Sequence, residues 1–209
     1  MSNKKDSLGD RMKEYYENRA KTYLVRRMPV IIRLDGKAFH TFTKGLKKPY
    51  DEIFHNTMNQ TMKYLCENIQ GCKLGYTQSD EITLLLTDYD TLTTDAWFDN
   101  NVQKICSVSA SMATMAFNKF FADYRCEYGN AVMAQQDSDI EDEYLETLYN
   151  KLGIAMFDSR CFNIPNEEVT NCFIWRQQDA PVTLFRCLVN AISLIRNCTE
   201  NLAMLFRIC

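Results

Sequence analysis

Three acidic residues stand where carboxylates can do phosphoryl chemistry. Asp35 closes the β-branched run Val30-Ile31-Ile32-Arg33-Leu34, and Asp80-Glu81 separate two further apolar runs. Carboxylates brought to one place from separate elements can hold a pair of Mg²⁺ ions around a reacting phosphate. Mg²⁺ takes few protein oxygens and keeps water or phosphate for the rest, so Asp35, Asp80 and one backbone carbonyl suffice. Glu81 alternates to the other face of a strand, yet can swing in from a turn. Taken singly, Asp35-Gly36 reads as a turn after a strand, and Ser79-Asp80-Glu81 is no more specific.

The charge around Asp35 fits a polyanion. From Lys21 to Lys48 there are eight basic residues against that single acid, although the formal net charge of the chain is −3. A basic block straddling a lone carboxylate attracts phosphate to a place that also needs a metal ligand. From Ala131 to Asn150 the balance reverses, with six acids and no base, which reads as a solvated face.

The elements that must position these groups follow from periodicity. Ser7 to about Tyr23 is helix-compatible, and Val30 to Asp35 is a buried strand. A basic loop runs from the Asp35-Gly36 turn to Pro49. Asp51 to Ile69 then carries Ile53, Met58, Met62 and Leu65 on one helical face. Cys72–Gln78 and Ile82–Thr87 form a hairpin with Ser79-Asp80-Glu81 at its polar tip. Ala96 to about Tyr124 contains no Gly or Pro and predicts a long helix; Ile154 to Arg160 predicts a fourth strand. Asn166 opens a helix running through Trp175. The order strand, helix, strand, strand, helix, strand is that of ferredoxin-like split βαβ folds. The fold class expected is α+β, a polymerase or cyclase palm whose antiparallel sheet carries helices packed on one face.

Composition excludes other classes. The chain has 209 residues, 46% of them hydrophobic, with 7 Gly and 4 Pro, which is neither collagenous nor disordered. No apolar run reaches the roughly 20 residues a membrane helix needs, and no apolar segment follows the basic N-terminal residues as in a secretory signal. A cytoplasmic protein without a membrane partner is expected. The nine cysteines form no Cys-x-x-Cys pair, and only His40 and His55 could join them in a zinc site. They read as small buried hydrophobes.

Longer motifs carry a resemblance. Arg33-Leu34-Asp35-Gly36-Lys37-Ala38-Phe39-His40, Gly75-Tyr76-Thr77-Gln78-Ser79-Asp80-Glu81, Phe157-Asp158-Ser159-Arg160 and Trp175-Arg176-Gln177-Gln178-Asp179-Ala180 resemble the tRNA-histidine guanylyltransferases. Their bacterial and archaeal relatives are 3′–5′ polymerases. The resemblance implies a palm-like domain over 1–180 that adds GTP-derived nucleotides to tRNA 5′ ends. Asp35, Asp80 and Glu81 match the catalytic acids, and Asp35, Gly36 (through its backbone oxygen) and Asp80 match the ligands of two Mg²⁺ ions. Asp35, Gly36, Lys37, Ala38, Phe39, His40, Lys48, Ser79, Asp80 and Lys104 match nucleotide contacts. By residue type alone, Phe39 reads as core and His40 as a structural residue. Three residues before Lys104, where the family often has a base, stands Asn101.

The implied reaction uses ATP to adenylylate a 5′-monophosphate, after which the 3′-hydroxyl of GTP displaces AMP; a 5′-triphosphate can skip activation. The resemblance also implies a homotetramer. After Asp179-Ala180 the chain lacks the His-Ile-Asn-Asn stretch of the eukaryotic enzymes, like bacterial and archaeal members that repair 5′-truncated tRNAs. The rival readings are a nucleotide cyclase sharing the palm, and a tRNA-binding remnant without catalysis. The remnant reading is prompted by the tail, 181–209. From Pro181 the family's Thr-Arg-Asn-Ser and Ser-His-Lys-Glu-Leu runs are missing, but codons can be chosen that restore both in the neighbouring reading frame. A single-base deletion near codon 180 is the expectation, to be read from the coding DNA.

Overall fold

Val30–Gly36 forms strand β1, and its Ile31, Ile32 and Leu34 are completely buried. That burial explains why the run is apolar on both faces and not alternating. The computed structural model describes residues 7–48, 50–135 and 139–178. The tail, and with it the frame-shift expectation, lies outside the described residues. The one-turn helix α2 (Phe39–Phe42) follows β1, then α3 (Glu52–Asn68), β2 (Cys72–Gln78) and β3 (Glu81–Leu86). The long α4 (Val102–Gln135), α5 (Asp139–Tyr149), β4 (Phe157–Asn163) and α6 (Asn166–Gln178) complete the order. Before β1 a short helix α1 (Leu8–Met12) continues into a π turn and a 3₁₀ turn ending at Ala20.

The sheet order is β2-β3-β1-β4, with every neighbouring pair antiparallel. Strands β1 and β2, joined through α3, are therefore split by β3; β3 and β4, joined through α4, are split by β1. Two interleaved βαβ units result, as the element order predicts. Ile32, Leu34, Ile82 and Leu84 face α3 and α4, meeting Met58, Met62 and Leu65 of α3 and Ile105, Phe117 and Phe121 of α4. Each such fully buried side chain contributes about 1.5–3 kcal/mol relative to exposure. The opposite face is crossed by α6, where Phe173 meets Tyr76 edge to face at 6.3 Å and the Arg33 guanidinium lies 5.6 Å from the Trp175 ring.

Several boundaries differ from the sequence reading. The N-terminal helix stops at Ala20, because Tyr23 is drawn into a bridge with Asn101. The basic loop contains α2, and the acidic segment forms α5. The long helix starts at Val102, not Ala96: Phe98, Asp99 and Asn100 all adopt positive φ, a left-handed turn incompatible with α-helix. Asn101 then caps α4, its Oδ1 accepting the Lys104 amide at 3.0 Å. The helix runs on past Tyr124, tolerating Gly129. Strand β4 is displaced to Phe157–Asn163, since α4 side chains hold Ala155 before the ladder begins and the Phe157 amide where it starts.

Candidate active site

The end of β1 gathers four carboxylates. Asp35 lies directly opposite Glu81 on one side and Asp158 on the other. Directly opposed residues share a face of the sheet, so Asp158, Asp35 and Glu81 stand abreast. One residue on, the Gly36 amide donates to the Asp80 carbonyl oxygen at 3.1 Å, which ties the hairpin tip to the end of β1. The hairpin turn is Ser79-Asp80, with Ser79 at φ 53° and Glu81 already in the ladder opposite Gln78.

These acids differ in how they are compensated. Glu81 accepts from Arg33 at 3.0 Å and Arg176 at 2.8 Å, and Asp158 pairs with Arg160 at 3.1 Å. Among the described residues Asp35 and Asp80 form no ion pair; the Asp80 carboxylate accepts from the Ser79 hydroxyl at 3.0 Å and from its own backbone amide. Burial, then the Glu81 and Asp158 charges, raises the Asp35 carboxyl above the ordinary range. Asp80 is likewise raised, first by burial, with repulsion from Asp35 adding to it. The Arg160 and Arg33 charges offset part of that rise at Asp35 without pairing with it, and neighbouring carboxylates that repel each other suit a divalent ion. Among the described residues no three His, Cys, Asp or Glu side chains group as a metal cluster. A cation here would complete its shell with backbone, phosphate or water oxygens, as Mg²⁺ does.

The turn after Asp35 is tightly built. A Cβ on Gly36 would lie 2.4 Å from the Phe39 ring, so glycine lets α2 fold back against β1. Ala38 adopts φ 57°, and Lys37 donates its amide to the Met156 carbonyl at 2.9 Å. The side chains of Lys37 and His40 are exposed beside the acidic rim. Phe39 is buried, its ring stacked on Phe42 at 4.9 Å and tilted against Phe157 at 5.1 Å. The ring belongs to the core, as its residue type suggests, so a nucleotide contact at Phe39 would be made by its backbone.

The basic residues are spread more widely than expected. Lys48 is exposed in the loop before α3, while its neighbour Lys47 lies over the rings of Tyr144 and Tyr128 at 4.5 and 4.9 Å. Lys104 is in the first turn of α4, 5.7 Å from the Phe98 ring. Two residues on, Cys106 meets Cys161, opposite Ile32, and five residues on, Ser109 meets Ser159, opposite Leu34. Lys104 therefore sits toward the start of β1, at the far end of the sheet from Asp35, and within one chain it is not brought to the acidic rim. Asn101, found where a base was expected, is the buried cap of α4.

Sequence reasoning missed Asp158 and the pairing of Arg33 and Arg176 through Glu81. Asp158 was visible in the Phe157-Asp158-Ser159-Arg160 motif, but only the strand register puts it beside Asp35. Arg176 carried no signal for a place on the sheet, because α6 has no clear apolar stripe.

An interleaved four-stranded sheet, helices on its inner face and a carboxylate-lined rim at the end of β1 define a palm-like domain. The chain belongs to the tRNAHis guanylyltransferase (Thg1) family, whose profile matches residues 9–165. A bacterial tRNA(His) guanylyltransferase (Thg1)-like protein in complex with ATP is similar at 48% identity and a TM-score of 0.68, over 83% of this chain and 65% of that one. A bacterial Thg1-like protein in complex with GTP matches at 48% identity and 0.66, over 84% and 71%. Uncharacterized protein R259 of Acanthamoeba polyphaga mimivirus is 29% identical over 180 residues, 82% of this chain and 58% of that protein. The chain spans about half the length of the curated relatives it matches.

Proposed function

We propose that this chain is a Mg²⁺-dependent nucleotidyltransferase that adds GTP-derived nucleotides to the 5′ end of tRNA. The observation that carries the reading is the meeting of Asp35 and Asp80 at one rim, both partly buried, mutually repelling and without an ion pair among the described residues. The similar bacterial proteins, solved with ATP and with GTP, support nucleoside triphosphates as substrates.

Asp35, Asp80 and the Gly36 carbonyl would hold Mg²⁺, which when bound neutralises phosphate charge and eases deprotonation of an attacking hydroxyl. Lys37 and His40, exposed on the turn that follows, would supply charge and hydrogen bonds to the triphosphate. Ser79, in its left-handed position, turns the hairpin so that Asp80 stays beside Gly36. In activation a 5′-phosphate oxygen attacks the α-phosphorus of ATP and pyrophosphate leaves. The 3′-hydroxyl of GTP then attacks the activated 5′ phosphorus and AMP leaves. Both are displacements at phosphorus, for which orientation and charge stabilisation supply most of the acceleration.

Glu81, engaged by two arginines, holds the start of β3 in place for the neighbouring Asp80. The homotetramer implied by the family resemblance is part of this proposal and is read by light scattering.

The test offers intact and 5′-truncated tRNAs with mono- or triphosphate ends to the purified protein, with Mg²⁺, ATP and labelled GTP. Label at the tRNA 5′ end supports the reading. Cyclic product from GTP alone would favour the cyclase, and tRNA binding without incorporation would favour the remnant.

A further inference from the structure

Thr114 and Asn118 lie one turn apart on α4 and meet the chain just before β4. The Asn118 side chain engages both peptide groups of Ala155: Oδ1 accepts the Ala155 amide at 3.2 Å and Nδ2 donates to the Ala155 carbonyl at 2.9 Å. The same Nδ2 donates to the Thr114 carbonyl at 2.8 Å. Thr114 Oγ1 accepts the Phe157 amide at 3.1 Å. Between them, the Met156 carbonyl accepts the Lys37 amide at 2.9 Å. A continuous path of hydrogen bonds thus leads from the middle of α4 to the turn after Asp35.

The chemistry of that path is demanding. The neutral amide offers a donor and an acceptor side by side, whereas an ionised aspartate at 118 would present only oxygen to the Ala155 and Thr114 carbonyls. Ala155 is 3% exposed, which leaves water little access to replace a lost bond. On the other side of the path Ala38 holds a left-handed conformation that a residue with a Cβ adopts only when its surroundings impose it. The Phe157 ring, packed on Phe39 and Phe117, adds an apolar brace to the same segment.

We infer that Asn118, supported by Thr114, is a positioning residue that fixes the Gly36-Lys37-Ala38 turn on which the nucleotide triphosphate is held. It acts through Ala155, Met156 and the Lys37 amide and touches no substrate. The triphosphate part rests on the proposed function; the backbone part stands without it.

The test compares Asn118→Asp and Asn118→Ser with the conservative Thr114→Ser, using amide hydrogen exchange and steady-state kinetics on the full chain. In Asn118→Asp the Lys37 amide exchanges faster while amides of β1 and β3 keep their protection. KM for ATP rises by about tenfold or more, with kcat changed less, because the turn is misplaced by a fraction of an ångström. Thr114→Ser, which keeps the acceptor, matches the parent. If Asn118→Asp fails to fold, Asn118→Ser is read in the same way. Parental Lys37 exchange and parental KM in a folded Asn118 variant overturn the inference. If the parent itself binds no ATP, the proposed function falls, and Lys37 exchange alone decides this one.

Discussion

The Gly36 amide donates to the Asp80 carbonyl oxygen at 3.1 Å, so a direct backbone bond joins the end of β1 to the tip of the β2–β3 hairpin. The two carboxylates proposed to share metal are held by the sheet itself, independent of any flexible side-chain pairing. Changes at the rim are therefore expected to separate into those that alter its shape and those that alter only its charge.

Gly36 tests the shape. An added methyl would lie 2.4 to 2.7 Å from three Phe39 ring atoms. That ring is wedged among Phe42, Phe54, Phe117 and Phe157 and cannot retreat cheaply. Gly36→Ala should lower stability by about 1–3 kcal/mol, the usual range for overpacking. Urea unfolding reads this directly, and a parental midpoint would show that the core yields.

Asp35 tests the charge. Its carboxyl is raised by burial first and then by Glu81 and Asp158. Between the ordinary carboxylate value and the raised one, the folded protein binds more protons than the unfolded chain. This group's contribution to stability is therefore present at low pH and lost as pH rises through the raised value. Asp35→Asn should stabilise the metal-free protein at neutral pH and flatten that part of its pH dependence, while abolishing transfer. Thermal melts of both proteins from pH 4 to 7 check this; parallel curves would mean the Asp35 carboxyl is not raised.

Glu81 is expected to be as much a brace as an acid. It joins Arg33 of β1 to the buried Arg176 of α6 at 3.0 and 2.8 Å. Glu81→Ala should cost about 1–3 kcal/mol, between the ranges for exposed and buried ion pairs, because Glu81 and Arg33 are only partly buried. Glu81→Gln, which keeps an acceptor, should cost less. Equal unfolding midpoints for the two variants would argue against the brace.

The thiols are expected to react unequally. Cys161 lies 3.6 Å from Cys106, and burial, then that neighbour, pushes its thiol up to about 12. Because the thiolate is the reactive form, iodoacetamide at pH 8 should label the exposed Cys126 well before Cys161. Peptide mapping by mass spectrometry reads the order, and equal rates would contradict the burial of the pair.

The split strand order and the Asp35 and Asp80 positions were legible because periodicity and turn chemistry are local signals. Helix starts were not: the left-handed turn at Phe98, Asp99 and Asn100 contains no glycine, so nothing in the residue types announced it. Register was equally hidden. Asp158 is an ordinary acid in a motif until β4 pairs with β1 and sets it beside Asp35. Phe39 and Lys104 show what a motif position leaves open: the Phe39 ring packs in the core and Lys104 lies in the first turn of α4, so the nucleotide contacts implied for them cannot be read from the packing of one chain.

The central claim is that Asp35 and Asp80 act together on one triphosphate. Its most direct measurement is Mg²⁺-dependent incorporation of labelled GTP into a 5′-truncated tRNA by the parent and by Asp80→Asn, both shown to be folded. The account predicts labelled tRNA from the parent and a loss of at least about a hundredfold in the variant, in line with removing a group that stabilises transition-state charge. A variant that labels tRNA as fast as the parent would contradict it.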